Sequence, residues 1–189
     1  MMVKRSKRIP SFTGVTLLLV LLLAGGWHCK GKGDARQEVT LTDGDSTYVN
    51  ETGKTRKIVL PDGSSALLSD HTHIRLAGGF NKERRELDLD GEAFFTVNAD
   101  AGKPFVIHTR NLLIQVLGTR FRVDAYKKNA GEEVDLFSGR LKVMKTYHSD
   151  TDNEPETLQS GDMLMINRDI DLMEKEKMTP EELKKLDKE

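Results

Sequence analysis

An acidic segment in the middle of the chain is the first candidate for chemistry. Glu86–Gly91 places acids at its first, third and fifth positions and a glycine at its sixth, as in the first half of a calcium-binding loop. The twelfth position of such a loop needs a glutamate, but this chain has Val97 there. Leucines alternate with the acids, as in a strand with one solvated face. We therefore expect a strand here and no calcium site.

Two histidines form the second candidate. His71 and His73 are two residues apart, so on a strand they would share a face and could bind one metal ion. A tetrahedral site needs further ligands, and His28, His108 and His148 are scattered along the chain. Polar residues at a turn are the commoner interpretation. The sequence thus predicts no metal and no cofactor.

Signals for covalent catalysis are missing from the sequence. Ser64, Ser65 and Ser138 lie in or next to glycine-containing turns, where serine is common for backbone reasons, and none forms a nucleophile elbow. No glycine-rich phosphate loop is present. The many carboxylates could supply a glycosidase pair, but no spacing singles one out. We expect a protein that is not an enzyme.

Length and charge exclude further classes of protein. The 189 residues suit a single domain, and 37% hydrophobic with 31% charged residues exclude a polytopic membrane protein. A net charge of -1 argues against a nucleic-acid partner, which would require a basic excess. The first thirty residues contain basic but no acidic side chains, so the remainder of the chain is acidic.

The N-terminal segment predicts transfer to or across a membrane. A basic cluster precedes residues 9–27, which carry no charge and as a helix would approach the ~30 Å hydrocarbon core. The denser run Val15–Ala24 also fits a secretory signal cleaved after Gly26. Residues 1–30 are therefore a signal peptide or a membrane anchor. Either role places the body of the protein in the periplasm or at the cell surface.

The single cysteine follows this segment directly. Cys29 stands where a bacterial lipoprotein carries its acylated thiol, so it is a candidate lipidation site. The preceding Trp27-His28 lacks the small residue usual before a lipidated cysteine, and an unpaired thiol is the alternative. With one cysteine, the domain forms no internal disulfide.

Short runs of alternating polar and apolar residues dominate residues 38–166. They predict an all-β fold, an antiparallel sandwich, roll or solenoid-like β-domain after one N-terminal hydrophobic helix. Turn residues at Pro61–Ser64, Ser138-Gly139 and Ser160–Asp162 predict hairpins. Residues 31–56 are predicted to be a spacer with leading strands, and 57–166 the β-domain.

A charged tail with a short helix is predicted for residues 167–189. Thr179 is a helix cap, Pro180 suits the first helical position, and Glu182 completes a capping box.

Six turn-and-strand segments, in this order, resemble the FecR domain, the extracytoplasmic domain of bacterial membrane-bound regulators of alternative sigma factors. Each segment alone is weak, whereas six in sequence are specific. The segments are Val59–Ser64, Leu89–Val97, Pro104–Thr109, Val116–Val123, Phe137–Val143 and Leu158–Asp162.

The resemblance implies a β-rich domain that works by contact. In such regulators it receives a signal from an outer-membrane TonB-dependent transducer and passes it to a cytoplasmic domain that holds a sigma factor. Eight residues precede the apolar segment here, so we expect the cytoplasmic anti-sigma domain to be missing. The expected function is binding of a protein partner in envelope signalling. A structural or glycan-binding envelope protein is the alternative.

The motif residues are interpreted as determinants of the fold. Four glycines are expected at turns, namely Gly63, Gly91, Gly118 and Gly139. Phe94 and Phe95 must point to opposite faces of a strand, so one of them needs cover from a second sheet or from a partner. The full set is Pro61, Asp62, Gly63, Gly91, Glu92, Phe94, Phe95, Pro104, Phe105, Gly118, Thr119, Phe121, Gly139 and Gly161.

Overall fold

The computed structural model describes residues 39–42, 44–82 and 84–186, which form fourteen strands and one helix. The predicted N-terminal helix, with Cys29, lies outside these residues. Within the described ranges, no helix has the length and hydrophobicity needed to cross a membrane. The elements are β1 Val39–Thr42, β2 Asp45–Asn50, β3 Arg56–Val59, β4 Ser65–Leu68, β5 Thr72–Leu76, β6 Arg85–Thr96, β7 Phe105–His108, β8 Leu112–Val116, β9 Arg120–Ala125, β10 Gly131–Ser138, β11 Arg140–Lys145, β12 Glu156–Gln159, β13 Asp162–Asn167, β14 Leu172–Lys177 and α1 Pro180–Leu186.

The strands form two hydrogen-bonded sheets that are joined through β6. The first sheet has the order β1-β2-β5-β6-β7-β8-β11-β12, and the second has the order β3-β4-β6-β9-β10-β13-β14. All pairs are antiparallel except β6 with β7, which is parallel. The all-β prediction and the short C-terminal helix are confirmed.

Strand β6 belongs to both sheets, and Gly91 is the residue where it changes partners. Residues 87–90 pair with β5 in the first sheet, whereas residues from Gly91 onward pair with β9 in the second. The prediction that Gly91 serves a turn is therefore wrong. Its φ is +126°, and a Cβ there would lie 2.6 Å from the Thr72 Cα, so glycine permits both the bend and the close approach.

The inner faces of the two sheets enclose one core. Phe95 of β6 stacks on Phe121 of β9 with ring centroids 5.3 Å apart, and it meets Phe105 of β7 edge-on at 6.2 Å. All three rings are fully buried. These aromatic contacts join a strand shared by both sheets to one strand from each.

Two predicted hairpins are wrong, although the one at Pro61–Ser64 is confirmed by the pairing of β3 with β4. Strand β10 pairs with β9 and β13, whereas β11 pairs with β8 and β12, so Gly139 carries the chain from the second sheet to the first. Gly161 returns the chain from β12 to β13 in the second sheet. Period-2 alternation identifies a strand but does not identify its partner, which explains both errors.

The C-terminal residues contain a strand missing from the sequence prediction. Strand β14 adds an edge to the second sheet, and its side chains are mostly exposed and charged. The helix that follows begins as predicted. The Thr179 backbone N–H donates to the Glu182 carboxylate (2.7 Å), and the Glu182 N–H donates to the Thr179 hydroxyl (3.3 Å).

Candidate functional site

One row of cross-strand neighbours runs over the outer face of the second sheet. We call it, with the side chains around it, the Phe94–Arg122 face. In the part of the chain that the structure describes, no helix or further sheet packs over this face. From β3 to β14 the row is Lys57, Leu67, Phe94, Arg122, Asp135, Met163 and Glu176.

Two half-buried aromatic rings lie on this face. Phe94 contacts Phe137 of β10 with ring centroids 5.1 Å apart, and the Arg120 guanidinium lies 5.5 Å from the Phe94 ring centroid. The neighbouring Phe95 is fully buried on the opposite side of the strand. The first sheet thus covers Phe95, and no described element covers Phe94.

Arg122 is surrounded by carboxylates at the centre of the face. Its Nε donates to Glu92 (2.5 Å), while Nη1 donates to Glu133 (2.7 Å) and to Asp135 (2.5 Å). Asp124 lies 3.8 Å away. Burial disfavours the charged guanidinium, but hydrogen bonds and charge from these acids outweigh it and raise the pKa of Arg122.

Two acids in this cluster retain protons more strongly than free carboxyl groups do. Burial, followed by the charge of Glu133, raises the pKa of Asp135 to about 6. Burial, followed by the charge of Glu92, also raises the pKa of Asp124. The Oδ1 atoms of Asp124 and Asp135 are buried without a hydrogen-bond partner. The single positive charge of Arg122 therefore leaves the cluster with excess negative charge.

A second buried ion pair anchors the confirmed hairpin turn. Asp62 accepts hydrogen bonds from the Ser64 N–H (3.0 Å) and hydroxyl (2.7 Å), and Arg85 Nη1 lies 3.1 Å from its Oδ2. Arg85 also donates to the carbonyls of Lys103 (2.7 Å) and Asn98 (2.9 Å). Asp62 belongs to the predicted set, but Arg85 does not. The sequence signal that could have identified Arg85 is a charged residue at an inward-facing position of an alternating strand.

Other motif residues hold the connections near this pair. Gly118 lies in the connection between β8 and β9, where a Cβ would be 2.6 Å from the Ala99 Cα. The Thr119 hydroxyl donates to the Arg140 carbonyl (3.1 Å). A Cβ at Gly63 would be 2.9 Å from the side-chain Nδ2 of Asn98. Pro104 directly precedes β7. The structure thus brings most motif residues to the core and its turns, with Glu92 and Phe94 on the outer face.

The histidines considered for metal binding do not form a metal site in the described residues, although His73 and His108 line one shallow pocket. His71 is in a turn with φ 55° and its Nε2 is 3.3 Å from Asp70 Oδ2, whereas His73 is in β5 and 3.7 Å from Glu51. Among the described residues, no group of three or more His, Cys, Asp or Glu side chains is placed to hold a metal ion. The acids of Glu86–Gly91 alternate with buried leucines in β6, as the strand interpretation predicts.

Comparison with known proteins places this fold in a family. The family model described as FecR protein matches residues 31–142. No curated protein matches the chain.

Two crystal structures, each described as that of a candidate anti-sigma factor from Parabacteroides distasonis, are similar to this chain. Both are 26% identical to it, with TM-scores of 0.66 and 0.65. The matches cover 74% and 73% of this chain, and 63% and 62% of those chains. This chain therefore spans less than two thirds of those proteins.

Proposed function

Because the chain belongs to the FecR family, we propose that it is a non-enzymatic regulatory domain of the cell envelope that binds a protein partner. The description of the structural neighbours as candidate anti-sigma factors supports a role in signalling. In this proposal the partner is a TonB-dependent transducer or another envelope regulator. Residues 1–30 direct the chain to the membrane, as an anchor, as a cleaved signal or through lipidation at Cys29.

The Phe94–Arg122 face carries this proposal. Aromatic residues, methionine and arginine are enriched at protein interfaces, and this face combines the Phe94–Phe137 pair, Met163 and Arg122 on an uncovered sheet. The two rings are half-buried and contact each other at an interplanar angle of 44°, so their movement is restricted before a partner arrives. Such pre-organised side chains lose little conformational entropy on binding.

The electrostatics of the same face support contact and not catalysis. The carboxylates of Glu92, Glu133 and Asp135 all hydrogen-bond to Arg122. A glycosidase would instead need two carboxyl groups flanking a cleft, one as acid and the other as base or nucleophile. We therefore assign these acids to the organisation of a binding surface.

The outer face of the first sheet offers a matched control. Val106 of β7 is half-buried there, as Phe137 is on the second sheet. A Val106→Ser change places the same polar residue at a half-buried apolar position without touching the Phe94–Arg122 face.

A transcript measurement in the native host tests the regulatory role. Cells lacking the chain are complemented with the wild type, with Phe94→Ser plus Phe137→Ser, or with Val106→Ser. We expect the wild type and Val106→Ser to restore transcription of genes under an alternative sigma factor, and the double variant to fail at equal protein level. Identical transcript profiles with and without the chain would overturn the proposal.

A further inference from the structure

A groove opens at the edge of the Phe94–Arg122 face, where β10 begins and β13 ends. Its volume is about 340 Å³. We call it the acidic groove. It is continuous with the face, because Asp124, Glu133 and Met165 are cross-strand neighbours in the row next to Arg122. Its walls are Asp124, Asn129, Gly131, Glu132, Glu133, Met165, Ile166, Asn167, Ile170 and Leu172.

The charge of the groove is one-sided. Three of its lining residues, Asp124, Glu132 and Glu133, are acids, and none is basic. Arg122 is shared among Glu92, Glu133 and Asp135 and lies 3.8 Å from Asp124, so its single positive charge leaves negative charge uncompensated here. The buried Oδ1 of Asp124 has no hydrogen-bond partner.

One acid of the groove has a separate structural role. Glu132 accepts hydrogen bonds from the Asn111 N–H (3.0 Å) and side-chain amide (3.0 Å), and from the Thr109 hydroxyl. Burial raises its pKa, although these bonds and Arg110 oppose the shift. Of the other two acids, Glu133 accepts a hydrogen bond from Arg122 Nη1 (2.7 Å), and Asp124 lies 3.8 Å from the Arg122 guanidinium. A ligand at the groove would therefore share these two carboxylates with Arg122.

Apolar side chains also line the groove. Ile170 is 69% exposed and Leu172 is 42% exposed, two of the four large hydrophobic residues most exposed among those described. Ile170 lies in the turn between β13 and β14, Leu172 is the first residue of β14, and the half-buried Met165 lines the same groove. A wall of this kind suits an alkyl chain that ends in a polar group.

We propose that the acidic groove binds an arginine side chain presented by the protein partner, an inference that rests on the proposed function. The alkyl part of the arginine would lie against Ile170 and Leu172. Its guanidinium would donate to the Asp124 and Glu133 carboxylates, since a planar guanidinium matches carboxylate geometry. The proposed partner therefore carries an arginine that fills the groove and, next to it, an apolar residue that contacts Phe94 and Phe137.

A small probe tests the groove without knowledge of the partner. The full chain is titrated with N-acetyl-arginine amide and, as a control of the same shape without charge, N-acetyl-citrulline amide, while backbone amide resonances are followed by NMR. We expect shifts at Gly131 and Asn167 and binding about tenfold weaker for citrulline. Equal binding of both probes, or shifts confined to other regions, would overturn the inference.

Two variants test separately whether the apolar and the acidic residues of the groove contribute to binding. Ile170→Ser removes an exposed side chain, so the fold should persist while arginine binding weakens severalfold. Glu133→Gln keeps the shape of the side chain and removes its charge. It should weaken binding of the arginine probe but not of the citrulline probe. If calcium chloride binds at the same amides and displaces the arginine probe at lower concentration, the groove is a cation site and the inference is wrong.

Failure of this inference differs from failure of the proposed function. The arginine titration reports on the groove alone, whereas the transcript measurement reports on the whole Phe94–Arg122 face. Restored transcription with Ile170→Ser and with Glu133→Gln would reject the groove and leave the regulatory role intact.

Discussion

Arg85 Nη1 lies 3.1 Å from Asp62 Oδ2, and the two side chains are only 1% and 4% exposed. The pair joins the turn of the β3–β4 hairpin to the start of β6. Because Arg85 also donates to the carbonyls of Asn98 and Lys103, it fixes the connection between β6 and β7 as well. One guanidinium thus organises three segments distant in sequence.

Removing one partner of this pair should destabilise the protein strongly. Asp62→Ala leaves a buried guanidinium without its counter-ion, and loss of one member of a buried pair costs about 3–5 kcal/mol. Urea denaturation of the wild type and the variant measures the difference. Arg75→Ala is the control, because Arg75 pairs with Asp45 and Asp88 on the surface and is 56% exposed. A similar loss for both variants would contradict this account.

Gly91→Ala should destabilise through a steric clash in addition to backbone strain. The new Cβ would lie 2.6 Å from the Thr72 Cα, and φ is +126°. Gly161→Ala is the matched control, since its φ is +85° but nothing lies within 4 Å of a Cβ there. We expect the control to lose about 1 kcal/mol and Gly91→Ala several times more, or to prevent folding. Equal losses in thermal unfolding would reject the close-approach explanation.

Loss of the Asp135 proton should make the fold less stable as pH rises. Its pKa is about 6 in the folded protein, against 3.8 for an ordinary aspartate, so the folded state binds the proton more tightly. The free energy of unfolding therefore falls as pH rises from about 4 to 7. Asp135→Asn should reduce the decline between pH 5 and 7 by on the order of 1 kcal/mol. Part of the decline should remain in the variant, because the pKa values of Asp124 and Glu132 are also raised.

The measurement is chemical denaturation at fixed pH values across this range. Arg122 and Glu133 are the charged groups that contact Asp135, and the asparagine retains an acceptor for Arg122. Parallel stability curves for the variant and the wild type would show that Asp135 is ionised throughout.

The two neighbouring phenylalanines should respond differently to truncation. Phe95→Ala empties a fully buried site and should cost about 3–5 kcal/mol. Phe94→Ser affects a half-buried ring on the outer face, and should cost on the order of 1 kcal/mol. Thermal unfolding of both variants checks this, and a Phe94 variant as unstable as the Phe95 variant would mean that Phe94 is a core residue and not part of a surface.

Local signals in the sequence predicted the strands, the first hairpin and the helix cap. Alternation is a property of one strand, and the Pro61–Ser64 turn and the Thr179–Glu182 capping box depend on adjacent residues. These features are specified by residues close together in the sequence, so they can be recognised without knowledge of the remainder of the fold.

Features that depend on distant segments were not predicted. The sheet changes at Gly139 and Gly161 follow from which strands meet, and the close approach of Gly91 to Thr72 depends on packing. Strand β14 was missed because its charged, exposed side chains show no apolar face. The Phe94–Arg122 face was only half anticipated. One of Phe94 and Phe95 was expected to need cover, but the carboxylates around Arg122 come from three strands, β6, β9 and β10, and were not predicted.

Site-specific photocrosslinking in the native host tests the central claim most directly. A photoreactive amino acid is placed at Phe137 on the Phe94–Arg122 face or at Val106 on the first sheet, and crosslinked proteins are identified by mass spectrometry. We expect the photoreactive group at position 137, but not at position 106, to capture an envelope transducer or sigma regulator. We also expect Phe94→Ser to lower the crosslinking yield. Equal capture from both positions, or recovery of only lipid and peptidoglycan, would contradict this claim.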